Sequence, residues 1–187
     1  MENTIQDNKT IELKIEQTKL CSLYNNELNT PTVTDITVTI EEWNHDDPNS
    51  DKEIGRISMS LINMTMAINK GYDLKEQCLE HSDYLGSLVN TFYSDYDFST
   101  KITNVLDTPM NSDMLAITDI SLHTEYHNTN IIEDALKMVI DQYSYVGMVG
   151  FKDNEFEYQS NYESIGFKRI KTKVGYVYGL NNEMVNN

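Results

Sequence analysis

The sequence predicts one α/β domain: a mixed sheet of about seven strands interleaved with three helices, in the broader α+β sense of the class. Three observations predict it. Segments in the first third alternate apolar and polar residues at period two. Two longer segments carry apolar stripes at helical spacing. No linker, repeat or shift in composition divides the 187 residues, a length that suits one core. A single domain is therefore expected over 1–187, with the polar ends, 1–9 and 183–187, frayed.

The elements follow in order. Residues 10–20 set Ile11, Leu13 and Ile15 against Glu12, Lys14 and Glu16, the pattern of a half-buried strand. Residues 24–32, with Asn25, Asn26, Asn29 and Pro31, read as a loop. Residues 33–43 alternate Ile36, Val38 and Ile40 and are rich in Thr, which predicts a second strand. After a turn at 44–51, residues 54–66 predict the return strand of a long hairpin. Its apolar phase slips at Leu61–Ile62, which predicts a bulge or bend. Gly71 ends this region, and Asp73 with Glu76 forms a helix-start signature. Leu74, Cys78, Leu85, Leu88, Val89 and Phe92 share one face, predicting a helix over 73–93 with Cys78 and His81 as members or flank of its packed side.

Residues 95–112 read as a polar connection containing Pro109. Residues 114–122 predict a buried strand whose apolar phase slips from Leu115 and Ile117 to Ile120 and Leu122. A bulge there would bend the strand and spread it from a neighbour, opening a gap for an extended ligand; a strand buried on both faces gives the same pattern. Ile131, Ile132, Ala135, Leu136, Val139, Ile140 and Tyr143 trace the stripe of a helix over 130–143. A short strand at 145–150, a short helix at 154–164 stopped by Gly166, and two strands at 167–170 and 174–180 complete the order.

The net charge of −16 excludes broad classes. Sequence-independent nucleic-acid binding and anionic membrane surfaces both want a basic face. Solubility, attraction of a cationic substrate, and mimicry of a polyanion remain. Four of the 14 positive charges sit together at Lys168, Arg169, Lys171 and Lys173, leaving the rest more acidic still. No stretch approaches the roughly 20 apolar residues of a membrane span, and the first residues, MENTIQDNKT, do not read as a signal peptide. Cys21 and Cys78 lack disulfide-framework, metal or redox spacing, which suits a cytoplasmic location.

Chemistry-bearing residues concentrate late in the chain. The segment ITDISLHTEYHNTNII at 117–132 resembles the strand–loop–helix of the GNAT superfamily of N-acetyltransferases, and YQSNYESIGF at 158–167 is similar to its late helix and Gly-Phe turn. The resemblance covers roughly 70 residues; the N-terminal half matches in outline, as a hairpin with a helix before the central strand. It implies a central mixed sheet with helices on both faces. It also implies that backbone groups of Ile120, Ser121, Leu122 and His123 meet the pantetheine arm of acetyl-CoA.

The family's pyrophosphate loop, Arg/Gln-x-x-Gly-x-Gly/Ala, falls on His127, Asn128, Thr129, Asn130, Ile131 and Ile132. His127 stands at the Arg/Gln position, Asn130 at the first Gly and Ile132 at the second Gly/Ala. Asn130 tolerates a positive φ. A β-branched Ile132 is expected to fill space that the phosphates need, so Ile132→Gly is expected to raise coenzyme A affinity. Tyr162 matches the general acid that protonates the departing thiolate, and Asn154 lies near the family's Asn at that helix start, one residue too far from Tyr162. Asp119, Ser121, His123 and Glu125 are the candidates for a general base. Relatives often carry Glu near Ser121, which serine cannot replace; His123 suits neutral pH.

His123-x-Glu125 also begins a zinc-deaminase signature, but no Pro-Cys-x-x-Cys follows and both cysteines lie upstream; no metal is expected. The resemblance thus implies acetyl transfer from acetyl-CoA to a small-molecule or peptide amine. The eroded loop and acidity support an alternative: an inactive protein on the same fold that binds or inhibits a basic protein partner.

Overall fold

A computed structural model describes residues 9–18, 32–44, 46–47, 51–153, 156, 161–173 and 175–182. The elements are β1 (Lys9–Thr18), β2 (Val33–Asn44), β3 (Lys52–Ile62), α1 (Met64–Lys70), α2 (Leu74–His81), α3 (Asp83–Phe92), β4 (Tyr93–Ser94), β5 (Asp97–Phe98) and α4 (Thr100–Leu106). There follow β6 (Met114–Leu122), α5 (Ile131–Gln142), β7 (Met148–Lys152), β8 (Lys168–Thr172) and β9 (Gly175–Asn181). Seven strands form one mixed sheet in the order β1-β2-β3-β6-β7-β9-β8; β4 and β5 form a separate small hairpin. Among the described residues, only β6 and β7 pair in parallel.

Strand alternation sends side chains to two cores. Ile36, Val38, Ile40, Leu115 and Ile117 face α5, whose Ile132, Ala135, Leu136, Val139 and Ile140 close that side. Met114, Ala116 and Met148 face the opposite way, under α1 to α4 with Leu85, Leu88, Val89 and Phe92. At Gly150, an added Cβ would lie 2.4 Å from Cζ of Phe92, so the glycine lets α3 press on the sheet.

The sequence-based order of elements holds, and the differences lie where a capping side chain interrupts a continuous apolar pattern or where an element is short. The return strand stops at Ile62 rather than running to residue 66. Asn63 accepts the Met66 N–H at 2.7 Å and caps α1, so the phase slip at Leu61–Ile62 is a change from strand to helix, not a bulge. The helix expected over 73–93 is two helices. Its start is as read: Asp73 accepts from the N–H groups of Lys75 and Glu76. At Ser82, φ is −165° and the hydroxyl accepts the Leu85 N–H, ending α2 and starting α3. The polar connection at 95–112 contains β5 and α4. The short strand expected at 145–150 sits at Met148–Lys152. Of the late helix, a 3-10 turn at Tyr162–Ile165 is described, ended by Gly166 at φ 102°. Lys9, expected to fray with 1–8, instead opens β1 and pairs with Asn44; the rest of the expected frayed ends, the loop at 24–32 except Thr32, Cys21 and Asn154 lie outside the described residues.

Candidate functional site

The phase slip in the central strand is a bulge. Asp119 pairs with Ser58 and Ile117 with Met59, leaving Thr118 without a partner in β3. The extra residue lets Leu115, Ile117, Ile120 and Leu122 all face the α5 core, which plain alternation forbids. At the same place the sheet forks. β6 and β7 pair only from Met114–Met148 to Ala116–Gly150; beyond that, β6 has no strand partner on its β7 side among the described residues.

Tyr84, from the first turn of α3, bridges the fork. Its hydroxyl donates to the Ile117 carbonyl at 2.8 Å and accepts the Lys152 N–H at 3.1 Å. One phenol thus satisfies a carbonyl and an amide just past the last ladder pair, while the Lys152 ammonium lies 5.0 Å from the ring centre.

On the α1–α4 face, a cavity of about 390 Å³ adjoins the bulge, with Asp35, Thr37, Ser58, Ser60, His81 and Thr118 in its lining. One oxygen of Asp35 accepts both the buried Ser60 hydroxyl at 2.8 Å and Nε2–H of His81 at 2.9 Å. A carboxylate only accepts, so this bond fixes the proton on Nε2 and leaves Nδ1 of a neutral ring as the accepting nitrogen. The pair unites β2 with the C-terminal turn of α2.

The predicted pyrophosphate loop lies at the far end of β6. A 3-10 turn, Thr124–Tyr126, leads into it. Tyr126 donates to Glu42 at 2.9 Å, and Lys9 reaches the same carboxylate at 3.1 Å. Burial alone would raise Glu42, but the bonds from Tyr126 and Lys9 outweigh it and hold the carboxyl below its ordinary value. Burial, then the bond to Glu42, pushes Tyr126 up to about 12. His127 donates Nε2–H to the Leu122 carbonyl at 2.9 Å, closing the last carbonyl of β6. Asn128, Thr129 and Asn130 are exposed. Asn130 has φ −94° and no side-chain cap, so the positive φ entertained for it is not used.

Ile132 is placed differently from the sequence-based expectation. It is fully buried within the α5 core, so its side chain fills the interior rather than the solvent side of the loop. The whole residue is sequestered, its N–H included, while Ile131 is half-buried. Glu133 and Asp134 add acid to the same first turn. The start of α5 is therefore a poorer fit to a diphosphate than a bare helix terminus, where free N–H groups favour anions.

The remaining candidates separate by face. Tyr162 is buried on the α5 side, its ring edge-on to Phe151 with centroids 4.8 Å apart. Phe151 is the β7 residue immediately past the last parallel pair, so Tyr162 stands behind the fork. Ile120 and Leu122 belong to the core; Asp119 is exposed and Ser121 half-buried. His123 is exposed and its backbone N–H donates to Ile54. Glu125 pairs with Lys52. Of the base candidates, Asp119 alone adjoins the bulge. The groups missed by sequence reasoning are Asp35, His81 and Tyr84. No local signal joins Asp35 to His81, 46 residues apart, and the break at Ser82 that ends α2 at His81 is hidden within an apolar face that reads as one helix.

The geometry defines a class: a mixed α/β protein whose central strand is bulged and splayed from its parallel neighbour beside a polar cavity. No family profile matches the chain, and no curated protein matches it. Among the described residues, no group of three His, Cys, Asp or Glu side chains is placed to hold a metal. No helix among them is long and apolar enough to cross a membrane.

Proposed function

We propose that the chain is a divergent GNAT-like N-acyltransferase of the cytoplasm, transferring an acetyl group from acetyl-CoA to an amine. The observation that carries this reading is the fork: a bulge at Thr118 coincides with the loss of β6–β7 pairing after Ala116–Gly150. An open strand edge takes an extended, amide-bearing arm by main-chain hydrogen bonds. The seven-stranded mixed sheet with a core on each face also supports it.

In this reading the cofactor supplies an activated acyl group when bound along β6. The chain's own groups handle the amine. The cavity beside Thr118 receives it, the Asp35 carboxylate attracts the ammonium form, and Nδ1 of His81 takes its proton. His81 replaces His123 as the favoured base, because it lines the cavity and is held by a carboxylate. Tyr162, behind the fork, is the proton donor to the leaving sulfur.

A specific observation favours a second reading, an inactive protein that binds a basic partner. The Ile132 N–H is sequestered, and two carboxylates occupy the first turn of α5, where the diphosphate would sit. Thermal melting with acetyl-CoA separates the two. Saturation at 100 times the dissociation constant adds about 2.7 kcal/mol, or roughly 5–10 °C for a domain of this size. No shift at millimolar acetyl-CoA refutes the enzyme and leaves the binding protein.

A further inference from the structure

We propose that the outer edge of β1 pairs with the same edge of a second copy, joining two sheets across a two-fold axis. β1 ends the sheet in the described structure, and every residue in it except Leu13 is exposed. Ile11 and Ile15 are 40% and 39% exposed, on the side where Leu13 packs against the α5 core. Among the described residues no strand lies beside Ile11–Gln17 on the side away from β2, and an edge with an apolar row is a template for another strand.

The charges choose the occupant and the register. A two-fold axis normal to the sheet keeps each side chain on its own face, so paired residue numbers share parity. Centring the pair on Leu13 sets Ile11 opposite the partner's Ile15 and Glu12 opposite the partner's Lys14, each twice. Centring on Glu12 opposes two glutamates; centring on Lys14 opposes two lysines and sets Glu12 against the partner's Glu16. Centring on Ile15 also opposes unlike charges, Lys14 to the partner's Glu16, but sets Leu13 against Gln17; of these registers the one centred on Leu13 both opposes unlike charges and places Ile11, Leu13 and Ile15 all against apolar partners. Within one copy, Glu12 faces Glu41 across the ladder, a like-charge pair that the partner's Lys14 relieves. Lys14 already contacts Glu16 of its own strand at 2.8 Å and would sit between two carboxylates.

The opposite edge of the sheet makes the contrast. β8 reads KRIKT, and self-pairing there would bring cations against cations, a common protection of edges. β1 carries as many acids as bases, arranged to complement themselves.

Sedimentation velocity on the full chain tests the proposal. The mass should rise with concentration from 21.6 kDa toward twice that value. Lys14→Glu and Glu12→Lys each turn two attractive pairs into repulsive ones and should weaken association about tenfold or more. An equimolar mixture of the two variants restores every pair, and dimers should return as the heterodimer; the double variant should dimerise alone. Recovery on mixing also shows that both variants fold. A wild-type mass fixed at one chain into the millimolar range overturns the proposal. So does a dimer indifferent to both substitutions, or one that mixing does not restore.

Discussion

Ile132→Ala separates the two positions argued for that side chain, one from sequence and one from structure. Full burial in the α5 core means the change removes three carbon groups from the interior. Transfer alone costs about 2.4 kcal/mol at roughly 0.8 per group. A void of about 75 Å³, if nothing collapses into it, adds roughly 1.8 kcal/mol at about 24 cal/mol per Å³. Alanine's better helix propensity returns about 0.4 kcal/mol. The expected loss is therefore about 2–4 kcal/mol, a large part of the 5–15 typical of a domain. Urea unfolding followed by circular dichroism reads it as a midpoint lowered by about 1–2 M for a slope near 2 kcal/mol per M. Acetyl-CoA titrated into the same variant should bind no more tightly than to the wild type. A loss below about 1 kcal/mol, accompanied by tenfold tighter binding, would falsify the interior placement and restore the isoleucine as a plug in the phosphate site.

Four further outcomes follow from named contacts. Gly147→Ala puts a methyl 1.7 Å from the Asn111 backbone oxygen, which cannot move as a side-chain tip can, and should cost at least about 3 kcal/mol in urea unfolding; a neutral change contradicts the close approach. Tyr84→Phe leaves the Ile117 carbonyl and the Lys152 N–H without the bridging hydroxyl, so amide exchange at Lys152 should accelerate and stability fall by about 1–3 kcal/mol; unchanged exchange denies the bridge. His81→Gln should lower amine acetylation with little effect on acetyl-CoA binding, whereas His123→Gln should do neither; equal losses from both discard the assignment. Burial pushes the Cys78 thiol up to about 12. The unfolded thiol ionises near pH 8.5, so the unfolded state holds fewer protons above that pH. The contribution is complete below about 8.5 and drains toward 12, by up to roughly 1.4 kcal/mol per pH unit. Urea midpoints of wild type and Cys78→Ala should therefore converge as pH rises from 8 to 10; parallel curves contradict a buried thiol.

Legibility in the sequence depended on a repeating pattern with no capping side chain inside it. β2 and α5 each show several repeats of one period, and tertiary packing follows the alternation or the apolar stripe. α1 and α4 span seven residues each, too short for a stripe, and both carry Thr and Asn, which have modest helix propensity. Asn63 shows how a cap overrides a pattern: MTMAINK continues the strand's apolar run, yet one side-chain bond at 2.7 Å starts a helix. The break at Ser82 is the same device, a hydroxyl competing for a backbone N–H inside a continuous helical face.

The same contrast applies to the site, and it explains why a bulge that spreads the central strand was one of two readings of the slip while the groups around it were not read. The slip between Ile117 and Ile120 is a local fact, because an extra residue in a strand must move its apolar set to the other parity unless the backbone bulges. Opening of the β7 edge accompanies that bulge. Tyr84 meets the fork, and Asp35 and His81 the cavity beside the bulge, through tertiary placement alone: α3 carries the phenol to two strands, and His81 at the end of α2 reaches β2. The Tyr84 hydroxyl answers a need that the fork creates. Ile117 and Lys152 require partners once the ladder stops, while Asp35 takes a hydroxyl and an imidazole in the cavity that Thr118 also lines. A slip in a strand thus predicts where backbone polarity is left over, and it is there that side chains from distant segments should be sought.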